Sequence, residues 1–160
     1  MNWNDSHMLT CFLERCDQLG TELLETLYAY GSETDWRESV ALGTSAYLRW
    51  WQERPAFAHA YLVELPAAGP RAVDQRDTRL QDFAAMWESL AARARVHDRE
   101  LEPLNPLAAD LLGRGITEMI ATEVRRGRID RLHELDEDLA GLVCGVLGGG
   151  WVTDAAPRRD

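Results

Sequence analysis

The sequence predicts an all-α, single-domain bundle of about six main helices, and three observations carry that prediction. Apolar residues recur at every third or fourth position through most of the chain, the period of an amphipathic helix, and no segment alternates as a half-buried strand does. Helix-breaking residues fall between the periodic segments, at Gly31, Pro55, Pro66 with Gly69, and Pro103 to Pro106. With 160 residues, 46% hydrophobic and 28% charged, the chain has an ordinary globular composition and is long enough to bury about 70% of its unfolded surface in one core.

The first helix is expected from about Asp5 or Ser6 to Tyr30, with Leu9, Phe12, Cys16, Leu19, Leu23, Leu27 and Tyr30 at threes and fours, and "YGSETD" ends it at Gly31. Asp35 suits the N-cap of the second, which carries Trp36, Val40, Gly43, Tyr47, Trp50 and Trp51 and stops before Pro55. Pro55 opens a short third helix, "PAFAHAYLVEL", ended by Pro66 and Gly69. Pro70 opens a long fourth helix to about His97, with Val73, Leu80, Phe83, Trp87, Leu90 and Ala94 on one face. After the loop "DRELEPLNP", Asn105 caps a fifth helix that has Pro106 in its first turn and reaches about Arg126. "GRIDRLHEL" connects it to a sixth, Asp136 to Gly148. The folded domain is placed at residues 1–150 and a flexible tail at 151–160.

The last two helices are the most informative. Within "LLGRGITEMI" two glycines, Gly113 and Gly115, each cost a helix about 1 kcal/mol relative to alanine. On a helical wheel Asp110, Arg114, Thr117, Ala121 and Arg125 form one narrow polar stripe, and apolar residues fill more than half the circumference. A helix packed on a single layer needs an apolar stripe of little more than ~100°, so the fifth helix requires cover from two directions. The sixth has no charged side chain beyond Asp138; Leu135, Leu139, Leu142, Val143, Val146 and Leu147 form one face, and Gly141, Gly145 and Gly148 another. Small residues four apart let backbones approach closely. Burial of both faces within a six-helix monomer is one way to provide that cover. A second copy of the same two helices is the simpler one, so a closed two-fold dimer is expected, with Leu111, Gly115, Leu139, Gly141, Leu142, Gly145 and Val146 at the interface.

A formal charge of −10 repels phosphate backbones and anionic membranes. All 17 basic residues are arginines, scattered along the chain. Cys11, Cys16 and Cys144 have no paired spacing and read as small hydrophobic residues in a reducing cytoplasm, with no metal site or cofactor expected. No secretory n-region precedes an apolar run, and the run Leu139 to Val152 falls short of the ~20 residues of a membrane span. No nucleophile–base motif, H-E-x-x-H pair or phosphate loop is present, so no enzymatic activity is expected.

The stretches "FLERCDQLGTELLETL", "YLRWWQERPAFAHAYLVELPAAGP", "RLQDFAAMWESLAARAR", "LNPLAADLLGRGITEMIATEVRRGRIDRL" and "LDEDLAGLVCGVLGG" resemble, in order and spacing, the C-terminal regulatory domain of TetR-family transcriptional regulators. The resemblance spans nearly the whole chain. Trp3 takes the place of the family's aromatic after the recognition helix, and Leu9 that of the leucine starting the first regulatory helix. The family's helix-turn-helix module has no counterpart in this sequence. Operator DNA is therefore expected to be reached only through an N-terminal module outside this chain, or else regulation acts through another chain. The resemblance implies a homodimer formed by the last two helices and a small-molecule effector pocket inside the bundle. Residues assigned to that pocket are Phe12, Cys16, Tyr47, Trp50, Trp51, His59, Phe83, Met86, Trp87 and Met119, with Tyr61, Thr117 and Glu118 as further polar candidates. The expected role is that of a repressor controlled by a small apolar or aromatic ligand. The alternative is a helical dimerising protein–protein module that binds neither ligand nor DNA.

Overall fold

The computed structural model describes residues 6–30 and 35–149. Six α-helices make up the bundle: α1 Ser6–Tyr30, α2 Trp36–Gln52, α3 Pro55–His59, α4 Pro70–His97, α5 Pro106–Arg125 and α6 Asp136–Leu147, with no strand among the described residues. Trp3, Gly31 and the tail at 151–160 lie outside the described residues.

Local chemistry sets the helix starts. The Asp35 carboxylate accepts from the Arg37 backbone N–H at 2.8 Å, and the Asn105 side-chain oxygen accepts from that of Leu107 at 2.8 Å. Each cap satisfies one of the amide donors a helix start leaves unpaired. Proline occupies the first turn of α3, α4 and α5, where its missing N–H costs nothing.

The structure departs from the sequence expectation in four places. The third helix does not stay α-helical: a π-helical turn, Ala60–Glu64, and a 3-10 turn, Leu65–Ala67, follow α3. Pro66 cannot donate to a carbonyl four residues back, and the Leu65 N–H reaches instead to the Ala60 carbonyl. The widened turn keeps Ala60, Tyr61, Leu62 and Leu65 all buried. The connector before α6 is also ordered as a 3-10 helix, Ile129–Leu135, which buries Leu132 completely. Gln52 of α2 pins it by donating to the Asp130 carbonyl at 2.7 Å. On α4, Val73 is exposed, and Ala72, Met86 and Ala91 join the buried face.

The fourth departure concerns α5. Thr117 and Ala121 do not belong to a polar stripe: with Gly113 they form a buried line of small residues at every fourth position. A Cβ added at Gly113 would meet Phe83 Cβ at 3.6 Å and the Leu80 carbonyl at 3.7 Å, so this line is where α4 approaches α5. The Thr117 hydroxyl donates to the Gly113 carbonyl at 2.7 Å and carries no unpaired donor into the core. Polar residues border the same contact: Arg114 pairs with Asp110 at 2.9 Å and with Asp77 of α4 at 3.1 Å.

Elsewhere α2 packs along α6, and α1 lies on both α2 and α4. Leu48, Leu62, Leu65, Ile120, Leu132 and Leu139 are almost fully buried, each worth roughly 1.5–3 kcal/mol of apolar burial. α5 closes on Gly127, whose φ of 68° lies in the left-handed region. Glu123 clasps Arg128 across this turn with two hydrogen bonds, at 2.6 and 2.5 Å.

Candidate functional site

Two concave regions stand out, one inside the bundle and one on its outer surface. The inner cavity, about 50 Å³, lies among α1, α2, α4, α5 and α6. Tyr47, Phe83, Met86, Trp87, Leu90 and Ile116 give it an apolar lining, with Ser39, Thr44, Thr117 and Arg93 as polar members. The rings of Tyr47 and Phe83 meet edge to face at 5.8 Å, an attractive aromatic geometry. Burial pushes the Tyr47 hydroxyl above its ordinary value, so it stays a neutral hydrogen-bonding group at any physiological pH.

Of the ten residues assigned to a pocket from sequence, Tyr47, Phe83, Met86 and Trp87 line this cavity. Phe12, Trp50 and Trp51 belong to an adjoining aromatic cluster. Trp51 stacks on Phe57 at 6.0 Å, Phe57 on Tyr61 at 5.6 Å, Trp50 meets Trp51 at 4.9 Å, and Phe12 meets Phe57 at 6.0 Å. Cys16 lies in the core, its thiol pushed up to about 12 by burial and by the nearby Asp17 charge. His59 is on the surface, with Nδ1 3.0 Å from Glu64. Glu118 is exposed and pairs with Arg125. Met119 lines the outer groove instead of the inner cavity. Sequence reasoning missed Arg93. Its position, three after Leu90 and seven after Met86, puts a charge on the apolar face of α4, and that is the signal available.

The outer groove, about 410 Å³, runs between α5 and α6 and is lined by Ala108, Leu111, Leu112, Gly115, Ile116, Met119, Leu142 and Val146. Beside it Leu107 is 65% exposed, Leu111 57% and Leu142 46%. A Cβ added at Gly115, Gly141 or Gly145 meets nothing within 4 Å. Of the residues assigned to an interface, Leu111, Gly115 and Leu142 line this groove, and Gly141 and Gly145 are exposed on α6 with open space above them. Val146 forms the groove floor, and Leu139, 1% exposed, faces the inner cavity. Gly148 is set apart from the other two glycines of α6: a Cβ there would lie 2.9 Å from the Cys144 carbonyl, so it serves the helix end.

Among the described residues no helix is long and apolar enough to cross a membrane, and no group of His, Cys, Asp and Glu is placed to hold a metal ion. Compared with family models, curated proteins and solved structures, the chain matches none.

Proposed function

We propose that the chain is the effector-binding and dimerisation domain of a TetR-like transcriptional repressor, acting in the cytoplasm and controlled by a small apolar or aromatic molecule. The observation that carries this reading is the outer face of α5 and α6, where exposed leucines stand beside glycines with open space above them. A two-fold axis lays the leucines of one protomer over the glycines of its partner, so the same patch serves both sides. Close backbone approach then offsets the roughly 1 kcal/mol each helical glycine costs.

The inner cavity supports the effector half of the proposal. Ile116 lines both the cavity and the groove, so a ligand that displaces it inside is felt at the dimer face. The ligand acts by its differential affinity for two subunit arrangements. In a longer protein carrying an N-terminal DNA-binding module, that would change the fit to half-sites about 34 Å apart. The test is a thermal-shift and tryptophan-fluorescence screen with a panel of small apolar molecules. A saturable rise in melting temperature that grows with ligand concentration is expected; unchanged melting and fluorescence across the panel would remove the effector half.

One observation favours a second reading, a dimerising protein–protein module without ligand or DNA. The inner cavity, at about 50 Å³, is well below the ~300–1,000 Å³ of ordinary ligand sites. On that reading the dimer forms and no small molecule raises its melting temperature.

A further inference from the structure

We propose that the inner cavity takes a short-chain carboxylate, its apolar tail among Tyr47, Phe83 and Met86 and its carboxylate accepting from Arg93. This rests on the reading of the cavity as the effector site and changes the expected ligand from a neutral apolar molecule to one with an apolar tail and an anionic head group.

Charge is the first ground. Arg93 alone among the lining side chains carries a formal charge, and it is positive in a chain of net −10. Hydrogen bonding is the second. Arg93 Nε is buried and donates to nothing, as does Trp87 Nε1 on the same wall. The Arg93 guanidinium stands 5.9 Å from the Tyr28 ring centroid and enters no ion pair among the described residues. Arg79 of the same helix, by contrast, pairs with Asp17 at 3.4 Å and with Asp82 at 3.1 Å. Two hydroxyls of the lining are engaged elsewhere: Ser39 Oγ donates to the Asp35 carbonyl at 3.2 Å and Thr117 Oγ1 to the Gly113 carbonyl at 2.7 Å.

A buried donor without an acceptor is costly, and the guanidinium fork is matched best by a carboxylate. No Asp or Glu lines the cavity to fill that role. Size sets the tail. About 50 Å³ is several times the ~10–15 Å³ a cavity needs to hold one water and well below the ~300 Å³ of drug-sized sites, which suits a short tail of a few carbons with the head group at the opening.

The test titrates sodium butyrate, butyramide and sodium formate into the protein, read by tryptophan fluorescence and calorimetry. Butyrate is expected to bind saturably and at least tenfold more tightly than either the neutral isostere or the tailless anion. Arg93→Gln should bring butyrate down to the level of butyramide and leave butyramide unchanged. Gly43→Leu places a side chain on the cavity wall where an added Cβ meets nothing within 4 Å; it should fold and abolish binding of butyrate. Equal affinity for butyrate and butyramide would overturn the carboxylate assignment and leave the effector reading standing. Equal affinity for butyrate and formate, or butyrate binding that survives Gly43→Leu, would mean ion pairing outside the cavity and also overturn it. Absence of binding by all three overturns it too, and the effector reading falls with it only if the apolar panel is also silent.

Discussion

Replacing Gly115, Gly141 and Gly145 together by alanine separates a free helical face from one covered by a second chain. In a single protomer an added Cβ at each of the three meets nothing within 4 Å, so only the helix propensity changes. Alanine is better than glycine in a helix interior by about 1 kcal/mol, and the sites lie on two different helices. The isolated protomer should therefore gain roughly 2–3 kcal/mol. In the proposed dimer the same methyl groups intrude on a close helix contact. Overpacking costs typically 1–3 kcal/mol at a site, and each substitution occurs twice about a two-fold axis. Since 1.4 kcal/mol is a factor of ten in affinity, the dimer should weaken by at least a hundredfold. The assay is urea unfolding at several protein concentrations, with mass measured by sedimentation. The triple variant should be largely monomeric, with an unfolding midpoint that no longer depends on concentration. A variant as dimeric as the parent, and simply more stable, would refute the placement of the glycines at a close contact.

Further expectations concern the core, the turn after α5 and the thiols. Leu132→Ala, which removes a fully buried side chain from the 3-10 connector, should lower stability by about 2–5 kcal/mol in denaturant unfolding. Gly127→Ala has open space for its methyl group but must adopt a φ of 68°; a loss of about 1–2 kcal/mol is expected, and a smaller one for Gly127→Asn. A maleimide reagent should label exposed Cys11 in the folded protein at pH 7.5 and reach buried Cys16 only after unfolding. Because burial raises the Cys16 thiol from 9.0 to about 12, the unfolded chain loses that proton first as pH rises. Its contribution to stability is complete below pH 9 and declines between pH 9 and about 12, so Cys16→Ala should show a shallower alkaline loss of stability.

Element boundaries were legible in the sequence because they rest on short-range chemistry. Asp35 and Asn105 are side chains that cap their own helices, and the prolines at 55, 70 and 106 act through bonds within one turn. The π-helical turn at Ala60–Glu64 was not legible, since it depends on burying four nearly consecutive residues around Pro66. On α5 periodicity located the apolar circumference but not which arc faces inward. Thr117 and Ala121 read as polar or neutral on a wheel, yet α4 needs small residues there to approach. The two glycines of "LLGRGITEMI" accordingly serve opposite sides, Gly113 toward α4 and Gly115 outward. For the cavity, Tyr47, Phe83, Met86 and Trp87 were named because the family resemblance implied a pocket inside the bundle, not because spacing marked one. Separating Tyr47 and Phe83 from the filled cluster around Trp51 required the three-dimensional path of α3.

The most direct test of the account is the mass of the unmodified protein in solution, measured by sedimentation velocity at micromolar concentration. Burial of the α5–α6 face against a second copy predicts a single species of twice the 18.1 kDa of one chain. A species of 18.1 kDa that persists up to millimolar concentration would leave the exposed leucines and open glycines without a partner copy and contradict the central claim.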